Sequence, residues 1–212
     1  MTAMTRDVRR RVLRSAAVLC VGLPAFRATR AAPPSPTPAQ AQGPFYPRVL
    51  PADRDHDLVQ IAGRDRPAAG TVAHVEGRVG DVRGQPVAGA LVEIWQCDVH
   101  GRYLRPADDG PGPRDENFQG YGQVRTDAAG AYAFRTIRPV PYAGRPPHIH
   151  FQITHPRHPR LVTQLYAQAT AGDGGAQWAE AMYPSLWVTF APSGREPGAV
   201  AARFDIVLAA PG

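Results

Sequence analysis

The chain has 212 residues, of which 43% are hydrophobic, as expected of one compact soluble domain with its own core. Its formal net charge is +6, from 24 Lys and Arg against 18 Asp and Glu. The whole excess lies in the first thirty residues, where seven arginines accompany one aspartate. The remainder is formally neutral, so the charge does not favour nucleic-acid binding, and we expect no nucleic-acid partner.

Residues 1–31 have the composition of an export signal. An arginine-rich opening precedes an apolar run from Ser15 to Phe26, which has the length of a signal-peptide core and is too short to span a bilayer. Residues 9–14, Arg-Arg-Arg-Val-Leu-Arg, resemble the twin-arginine export motif. We therefore predict twin-arginine export in preference to general secretion, to the periplasm or beyond, with no stable membrane anchor. The alternative is a disordered basic tail beside a short buried helix.

The next segment, residues 32–42, is rich in proline and alanine and is predicted to be a linker. Ala39-Gln40-Ala41 has the form of a cleavage site, so cleavage is predicted after Ala41, with Ala31 as a second candidate. Removal of the leader takes Cys20 with it and leaves Cys97 alone. The mature chain therefore has no internal disulfide, and Cys97 is expected to be a small buried hydrophobe, with a reactive thiol as the alternative.

Residues 43–212 are predicted to form a single all-β domain. After an irregular N-terminal arm that extends to Gly70, short runs rich in Val, Ile, Tyr and Phe alternate with Gly, Pro and Asp clusters. This pattern is typical of an antiparallel β-sandwich with long loops. The predicted strands are Val72–Val79, Ala88–Gln96, Gly122–Thr126, Ala131–Arg135, His148–Thr154, Leu161–Tyr166 and Ala202–Leu208.

Local patterns refine this expectation. The nearly continuous apolar run from Ala90 to Trp95 predicts a central strand that is covered on both faces. Residues 81–84 and 127–130 have the composition of hairpin turns, so we expect the strands that flank each turn to pair with one another. A short helix is predicted over Ala176–Met182, and no longer helical pattern indicates a Rossmann or α/β-barrel fold.

Two histidines indicate a candidate metal site. In His148-Ile149-His150 both imidazoles project to one face of the predicted strand, because alternate residues of a strand share a face. Two imidazoles on one side can begin a metal site, although a pair of hydrogen-bonded, half-buried histidines has the same pattern. The sequence offers no Cys pair, no H-E-x-x-H helix and no nearby carboxylate at ligand spacing, which disfavours a zinc hydrolase or a ferrous facial triad.

Tyrosine can complete such a site. A phenol has a pKa of about 10 and loses its proton on a strongly Lewis-acidic ion. Hard phenolate oxygen favours ferric over ferrous iron. A non-haem Fe(III) centre with histidine and tyrosinate ligands is therefore one interpretation of this chain.

From Gly43 to Leu208 the sequence resembles the intradiol ring-cleavage dioxygenases, the family of protocatechuate and catechol dioxygenases, in a short form without an N-terminal helical domain. The resemblance rests on a series of motifs that follow one another in the family's order along this chain: Gly-Pro-Phe-Tyr-Pro at 43–47, Val-Glu-Ile-Trp-Gln at 92–96, Gly-Arg-Tyr at 101–103, Asn-Phe at 117–118, Phe-Arg-Thr-Ile-Arg-Pro at 134–139, Pro-Tyr at 141–142, Arg-Pro-Pro-His-Ile-His-Phe at 145–151, Leu-Val-Thr-Gln-Leu-Tyr at 161–166 and Arg-Phe-Asp-Ile-Val-Leu at 203–208.

The resemblance implies a role for each matching residue. Tyr103 corresponds to a tyrosinate ligand that stays on the iron, and Tyr142 to a second one that the substrate displaces and that then takes up a substrate proton. His148 and His150 correspond to the histidine ligands. Tyr142 therefore also has a catalytic role. Arg145 matches the family's arginine that stabilises negative charge on the ring, and Gln164 matches the catalytic glutamine beside that arginine.

The implied activity is cleavage of a catechol-type ring by O₂, between its two hydroxylated carbons, to a cis,cis-muconate. A homo-oligomer is possible. Only Ala143 and Gly144 separate Tyr142 from Arg145, where the familiar family members have a longer insertion, so the resemblance does not assign the ring substituent. The alternatives are a transthyretin-like β-sandwich that binds a small phenol without catalysis, and a different metalloenzyme that uses the two histidines.

Overall fold

The structure, a computed structural model, describes residues 33–104, 112–168 and 181–211. The predicted export signal, Cys20 and the candidate cleavage site at Ala31 lie outside the described residues. Of the predicted helix Ala176–Met182, only its last two residues are described, and both are helical. Within the described ranges, no helix is long and apolar enough to cross a membrane.

Ten strands form two five-stranded sheets in the described residues. The first sheet has the order β10-β1-β9-β8, with β4 also paired to β1, and the second has the order β3-β2-β5-β6-β7. The all-β prediction is confirmed. The strands are β1 Val72–Asp81, β2 Leu91–Trp95, β3 Tyr121–Arg125, β4 Ala131–Ile137, β5 His148–His155, β6 His158–Ala167, β7 Trp187–Val188, β8 Ala191–Pro192, β9 Val200–Arg203 and β10 Ile206–Leu208, with a 3-10 turn at Pro184–Leu186.

Strand pairing is mixed rather than wholly antiparallel. The long pairs β1–β4, β2–β3, β2–β5 and β5–β6 are antiparallel, whereas β9 and β10 run parallel to β1, and β7 runs parallel to β6. The three parallel strands are short and lie near the C-terminal end of the chain. Each pairs with a strand that comes earlier in the sequence. Parallel pairing needs long crossover connections, whereas tight turns give antiparallel neighbours.

Both turns form as predicted, but the predicted pairing across them is wrong. Asp81 accepts backbone hydrogen bonds from Arg83 and Gln85, and Asp127 does the same for Ala129 and Ala131. Each turn leads from one sheet to the other: β1 pairs with β4, while β2 pairs with β3. Burying the apolar faces of both sheets against one another outweighs local hairpin pairing.

The predicted C-terminal strand is divided in two. Between β9 and β10, the Phe204 carbonyl turns into β1, where a Cβ added to Gly77 would lie 1.9 Å from that oxygen. The Phe204 N–H donates to the Glu76 carbonyl, and Asp205 accepts from the Arg78 N–H. The glycine thus admits a kink that a continuous strand would not contain.

The second sheet positions the candidate site. Strand β2 lies between β3 and β5, as predicted for a central strand, and Val92, Ile94 and Trp95 are buried. Phe134, Phe151 and Phe204 belong to the core between the sheets, and Cys97 is buried as predicted. The irregular arm 43–70 is confirmed, since its only ladder contact among described residues is an isolated bridge from Asp57 to Arg135.

Candidate metal centre

Strand β5 supplies the two histidines. His148 and His150 are each 1% exposed, and their ring centroids lie 4.8 Å apart. His148 Nδ1 donates to the Pro146 carbonyl at 2.6 Å. This bond fixes the tautomer in which Nε2 carries the lone pair, which is the arrangement of a metal-binding histidine. The predicted shared face is therefore present, and one imidazole is already oriented.

A tight loop after β2 presents Tyr103. Asp98 accepts from the backbone N–H groups of His100 and Arg102 and closes the loop. Gly101 has φ +76, and a Cβ at this position would lie 3.0 Å from the Tyr142 side chain. Only glycine allows both the backbone conformation and this close approach. The Gly-Arg-Tyr sequence thus brings two tyrosine-bearing loops together.

Tyr142 lies on a two-residue turn. Tyr142 and Arg145 exchange backbone hydrogen bonds of 2.8 and 3.3 Å, and Ala143 and Gly144 between them have φ values of +46 and +73. Positive φ at both central positions is the pattern of a type I′ turn. Ala143 is the only non-glycine residue with positive φ in the described chain, so the turn places strain beside the candidate site.

Four rings from three chain segments converge. The ring centroids of Tyr103 and Tyr142 lie 5.2 Å apart, and Tyr142 lies 5.4 Å from His148. Tyr103 lies 6.1 Å from His150, and its hydroxyl is 3.5 Å from His148 Nε2. We call Tyr103, Tyr142, His148 and His150 the four-ring cluster. All four residues predicted as ligands thus come together.

Several polar atoms in this cluster lack partners. The Tyr142 hydroxyl and both ring nitrogens of His150 are buried without a hydrogen bond. Each such group costs about 1–3 kcal/mol when nothing satisfies it. Buried polar groups are almost always paired, so three unpaired polar atoms within one cluster of rings indicate a ligand.

Burial sets the protonation of the cluster. It lowers the pKa of His148 to about 3, with help from the Arg145 charge, and lowers the pKa of His150 well below its ordinary value. Burial, followed by the neighbouring Cys97 and Tyr142, raises the pKa of the Tyr103 phenol far above 10. The imidazoles are therefore neutral and ready to bind a cation, whereas Tyr103 ionises only when a strong Lewis acid is bound.

The donor set fits ferric iron. Among the described residues, no group of three or more His, Cys, Asp or Glu side chains has metal-binding geometry. A cation at this place would therefore take phenol oxygens with the two imidazole nitrogens. Two imidazoles with two phenolates favour a trivalent over a divalent first-row ion, because hard anionic oxygen offsets the higher charge.

Arg145 and Gln164 lie together, as the sequence predicts. Arg145 Nη2 donates to Gln164 Oε1 at 2.7 Å, and Gln164 lies opposite His150 in the β5–β6 ladder. Gln164 is buried, while Arg145 is half-buried. One positive charge is thus held beside the four-ring cluster by a neutral partner, which leaves the charge available to an anion.

Sequence reasoning missed the rings that hold the cluster. Trp95, which the sequence places only at the end of the central strand, stacks on His150 at 4.8 Å with an interplanar angle of 6°. Phe45 stacks on Tyr103 at 4.5 Å and 8°. The β2–β5 register, which pairs Trp95 with His150, requires the tertiary fold, so no local pattern gives this contact.

Other candidate features lie apart. His155 and His158 form a half-buried ring pair at 5.3 Å, at the far end of β5 from His148. Two surface cavities of about 480 and 310 Å³ are lined by residues outside the four-ring cluster. The convergence of unpaired donors, rather than cavity size, therefore identifies the candidate site.

Comparison with known proteins agrees with this site. A family model described as "Dioxygenase" matches residues 41–210. Over 120 residues the chain is 43% identical to the protocatechuate 3,4-dioxygenase beta chain of Burkholderia cepacia, an alignment that covers 53% of this chain and 51% of the relative. It is 32% identical over 207 residues to hydroxyquinol 1,2-dioxygenase of Corynebacterium glutamicum, which covers 82% of this chain and 64% of the relative. The chain thus spans about half to two-thirds of the length of these two relatives.

A solved structure gives the same result. The dioxygenase domain of a dioxygenase carbohydrate-binding protein fusion from Streptomyces sp. SirexAA-E matches with a TM-score of 0.63 and 30% identity, covering 83% of this chain and 99% of that domain. Fold and site define a β-sandwich with a buried histidine–tyrosine cluster at one sheet. The chain belongs to the intradiol dioxygenase family. The alternative of a phenol-binding sandwich without catalysis is not favoured.

Proposed function

We propose that this protein is a non-haem Fe(III) dioxygenase that cleaves a catechol-type ring between its two hydroxylated carbons. The observation that carries the proposal is the convergence of two phenols and two neutral imidazoles, several of whose polar atoms have no protein partner. In this proposal Tyr103, Tyr142, His148 and His150 hold the iron. When bound, the ferric ion supplies the Lewis acidity that favours the catechol dianion and its reaction with O₂.

The two tyrosines have different roles. Tyr103 is 2% exposed and stacked under Phe45, so it is suited to stay in place. Tyr142 is less buried than Tyr103 and lies on a two-residue turn, so it is suited to move away when substrate arrives. As it leaves, its phenolate oxygen takes a proton from a catechol hydroxyl. This pairing of a fixed and a displaceable tyrosine provides a base where the substrate binds.

Arg145 stabilises the charge that develops on the substrate. Its guanidinium, held by Gln164, lies beside the cluster and favours negative charge on the ring carbons. In the reaction the bond between the two hydroxylated carbons breaks, and each carbon receives one atom of O₂ and becomes a carboxylate. The ring supplies the electrons that reduce O₂, so no external reductant is needed.

The test begins with the colour of the iron-loaded protein. Tyrosinate-to-Fe(III) charge transfer is expected to give a red-brown visible band, which weakens in Tyr103→Phe. Tyr132→Phe is the matched control, since Tyr132 donates to the Phe204 carbonyl in the other sheet and should leave the band unchanged. With ¹⁸O₂, both atoms should appear in the ring-opened acid. A folded protein that stays colourless in the presence of iron would overturn the proposal.

A substrate panel then refines the assignment. Oxygen uptake measured with catechol, protocatechuate, hydroxyquinol and chlorinated catechols would rank the ring substituents. The names of the two relatives above include protocatechuate and hydroxyquinol, and we propose only that this chain acts on the same class of vicinal ring diols.

We also propose that residues 1–31 direct export, since their composition combines an arginine-rich opening with a short apolar core. Fractionation of cells that express the full chain, with and without Arg9→Lys/Arg10→Lys/Arg11→Lys, would test this. Wild type should collect outside the cytoplasm and the variant within it, and equal cytoplasmic retention of both would exclude export. Size-exclusion chromatography with light scattering would test the proposed homo-oligomer.

A further inference from the structure

The segment Thr37–Ala41, which we call the strap, lies against the body of the protein. Sequence composition assigns it to a linker, but its backbone is hydrogen-bonded to strands of both sheets. It forms no strand of its own, and its residues range from exposed to half-buried. These contacts give it a fixed path in place of the free path of a proline-rich linker.

The strap lies along β10, at the edge of the first sheet, and along the part of β6 that β7 leaves unpaired in the second sheet. Thr37 N–H donates to the Val207 carbonyl at 2.9 Å, and Val207 N–H donates back to Thr37 Oγ1 at 2.8 Å on the edge strand β10. On β6, Gln40 N–H donates to the Val162 carbonyl at 2.8 Å, and Thr163 Oγ1 donates to the Pro38 carbonyl at 2.8 Å. Backbone groups that would otherwise be exposed at these edges are thus paired.

The end of the strap contacts a residue of the proposed catalytic site. Gln164 Nε2 donates to the Ala41 carbonyl at 3.2 Å, while Gln164 Oε1 accepts from Arg145 at 2.7 Å. A neighbouring contact joins the Tyr166 hydroxyl to Gln40 Oε1 at 3.4 Å. The hydrogen bonds therefore run from the strap through one amide to the guanidinium.

We call the hydrogen bonds from the Ala41 carbonyl through Gln164 to Arg145 the relay, and the chemistry of the amide gives it a fixed direction. Arginine has only donors, so Gln164 must present its carbonyl oxygen to Arg145 and its amino group to the other side. The Ala41 carbonyl is an acceptor at that side. Without it, the amide retains one partner and can rotate about its last side-chain bonds, and Arg145 loses a fixed partner.

We infer that the strap positions Gln164, and through it Arg145, and that it is retained in the working enzyme. Ala41 and Gln40 are positioning residues that do not touch the substrate. The inference rests on the proposed function for its catalytic consequence. It also decides between the two candidate cleavage sites: a cut after Ala41 would remove every strap contact, so export processing must cut before Thr37, as a cut after Ala31 does.

The main experiment compares two truncated chains, one that begins at Pro33 and one that begins at Gly43, each loaded with iron. Both should show the charge-transfer band. The chain without the strap should lose on the order of ten- to a hundredfold in kcat/KM for catechol, the effect of a slightly misplaced catalytic group. In a Gln164→Ala background the same truncation should cost less than about twofold, because the relay is already broken. Equal costs in both backgrounds would show that the strap acts only on general structure.

Point variants keep the test valid if the shorter chain does not fold. Thr163→Val removes the hydroxyl that donates to the Pro38 carbonyl without changing side-chain volume much, and should lower kcat/KM by about two- to fivefold with the band unchanged. Thr154→Val, at an exposed position of β5, is the matched control and should have no effect. An unchanged kcat/KM in Thr163→Val, together with an unchanged value in Gln40→Ala, would contradict the inference.

Two measurements do not depend on the iron chemistry. In iron-free protein, the Arg145 side-chain N–H signal, assigned by Arg145→Lys, should exchange with water faster in the chain that begins at Gly43 than in the chain that begins at Pro33. The intact mass of the protein expressed with its leader should correspond to an N-terminus before Thr37. A mass that begins at Gln42, or equal exchange in both chains, would overturn the role of the strap even if the proposed activity holds. Absence of the band and of ring cleavage in both chains would instead refute the proposed function.

Discussion

Two buried polar clusters lie side by side on one face of the second sheet, and they differ in how their polar atoms are satisfied. In the first, which we call the carboxylate cluster, Glu93 accepts 2.7 Å hydrogen bonds from Tyr46, Tyr121 and Gln152. In the second, the four-ring cluster, His150 and Tyr142 have buried atoms without partners. Trp95 separates them, with Tyr46 at its edge and His150 stacked on it.

The difference indicates that the carboxylate cluster stabilises the fold and that the four-ring cluster binds a ligand. Burial and the Glu93 charge raise the pKa of both Tyr46 and Tyr121, so these phenols stay protonated and donate to the carboxylate. Every donor there has its acceptor within the protein. In the four-ring cluster the Tyr142 hydroxyl and both ring nitrogens of His150 have no protein partner, which lowers the stability of the iron-free fold. A saturated cluster stabilises the protein, whereas an unsaturated one is suited to bind a ligand.

The largest effect is expected from His150→Phe. The variant should lose iron binding, the visible band and measurable ring cleavage. Its iron-free form should be at least as stable as wild type, and more stable by up to about 1–3 kcal/mol, because two unpaired buried nitrogens disappear while the ring still stacks on Trp95. Urea unfolding of iron-free proteins measures this. A variant less stable than wild type by more than about 1 kcal/mol would mean that the nitrogens are already satisfied without metal.

Glu93→Gln is expected to lower the stability of the protein and to leave the iron site intact, the opposite of His150→Phe. The substitution places an amino group where donors converge, and should cost about 2–4 kcal/mol of unfolding free energy. The folded, iron-loaded variant should keep the position of its visible band. Glu116→Gln is the control, since that side chain is 73% exposed and should change stability little. Equal stability of the Glu93 and Glu116 variants would remove the contrast between the two clusters.

A smaller effect is expected at the turn that carries Tyr142. Ala143 has φ +46, where a β-branched residue is strained, so Ala143→Val should cost about 1–2 kcal/mol and reduce kcat. Ala143→Asn gives the Asn-Gly pair that type I′ turns prefer and should stabilise the protein by about 1 kcal/mol or less. Ala129→Val, in a turn without positive φ at that residue, is the matched control. Similar losses for Val at both positions would show that turn strain has no role at the site.

The smallest effect is expected far from both clusters, at the partly exposed ion pairs of Glu196. Hydrogen bonds from Arg135 lower the pKa of Glu196 to about 2 from an ordinary value near 4.5. A carboxyl whose pKa is lower in the folded than in the unfolded state stabilises the folded protein at pH values above the unfolded-state pKa. This contribution is lost as the pH falls from about 4.5 towards 2. Because Glu196 is 28% exposed, solvent screening reduces the contribution to about 1 kcal/mol or less.

Urea unfolding of wild type and Glu196→Gln at several pH values tests this. The stability difference should be constant at neutral pH and should disappear between pH 4.5 and 2. A difference that persists at the acid end would show that the effect is not due to ionisation.

Much of the fold follows from local patterns. Alternation of apolar and polar residues predicts the strands, and the nearly continuous apolar run from Ala90 to Trp95 predicts the central strand, because burial on each face is encoded residue by residue. Sheet assignment does not follow in the same way. The turns at 81–84 and 127–130 are visible in the sequence, but they connect strands of different sheets, since the packing of two apolar faces decides the pairing.

For the candidate site too, the sequence predicts some features and only the tertiary structure decides the others. The sequence alone determined that His148 and His150 share a face, because strand periodicity is local, and family resemblance added the two tyrosines and Arg145. Only the tertiary structure decided which rings support them: Trp95 under His150 and Phe45 under Tyr103. It also decided that a segment with the composition of a linker reaches Gln164. These contacts join residues remote in sequence, and their geometry depends on strand register and close packing, which no local pattern contains.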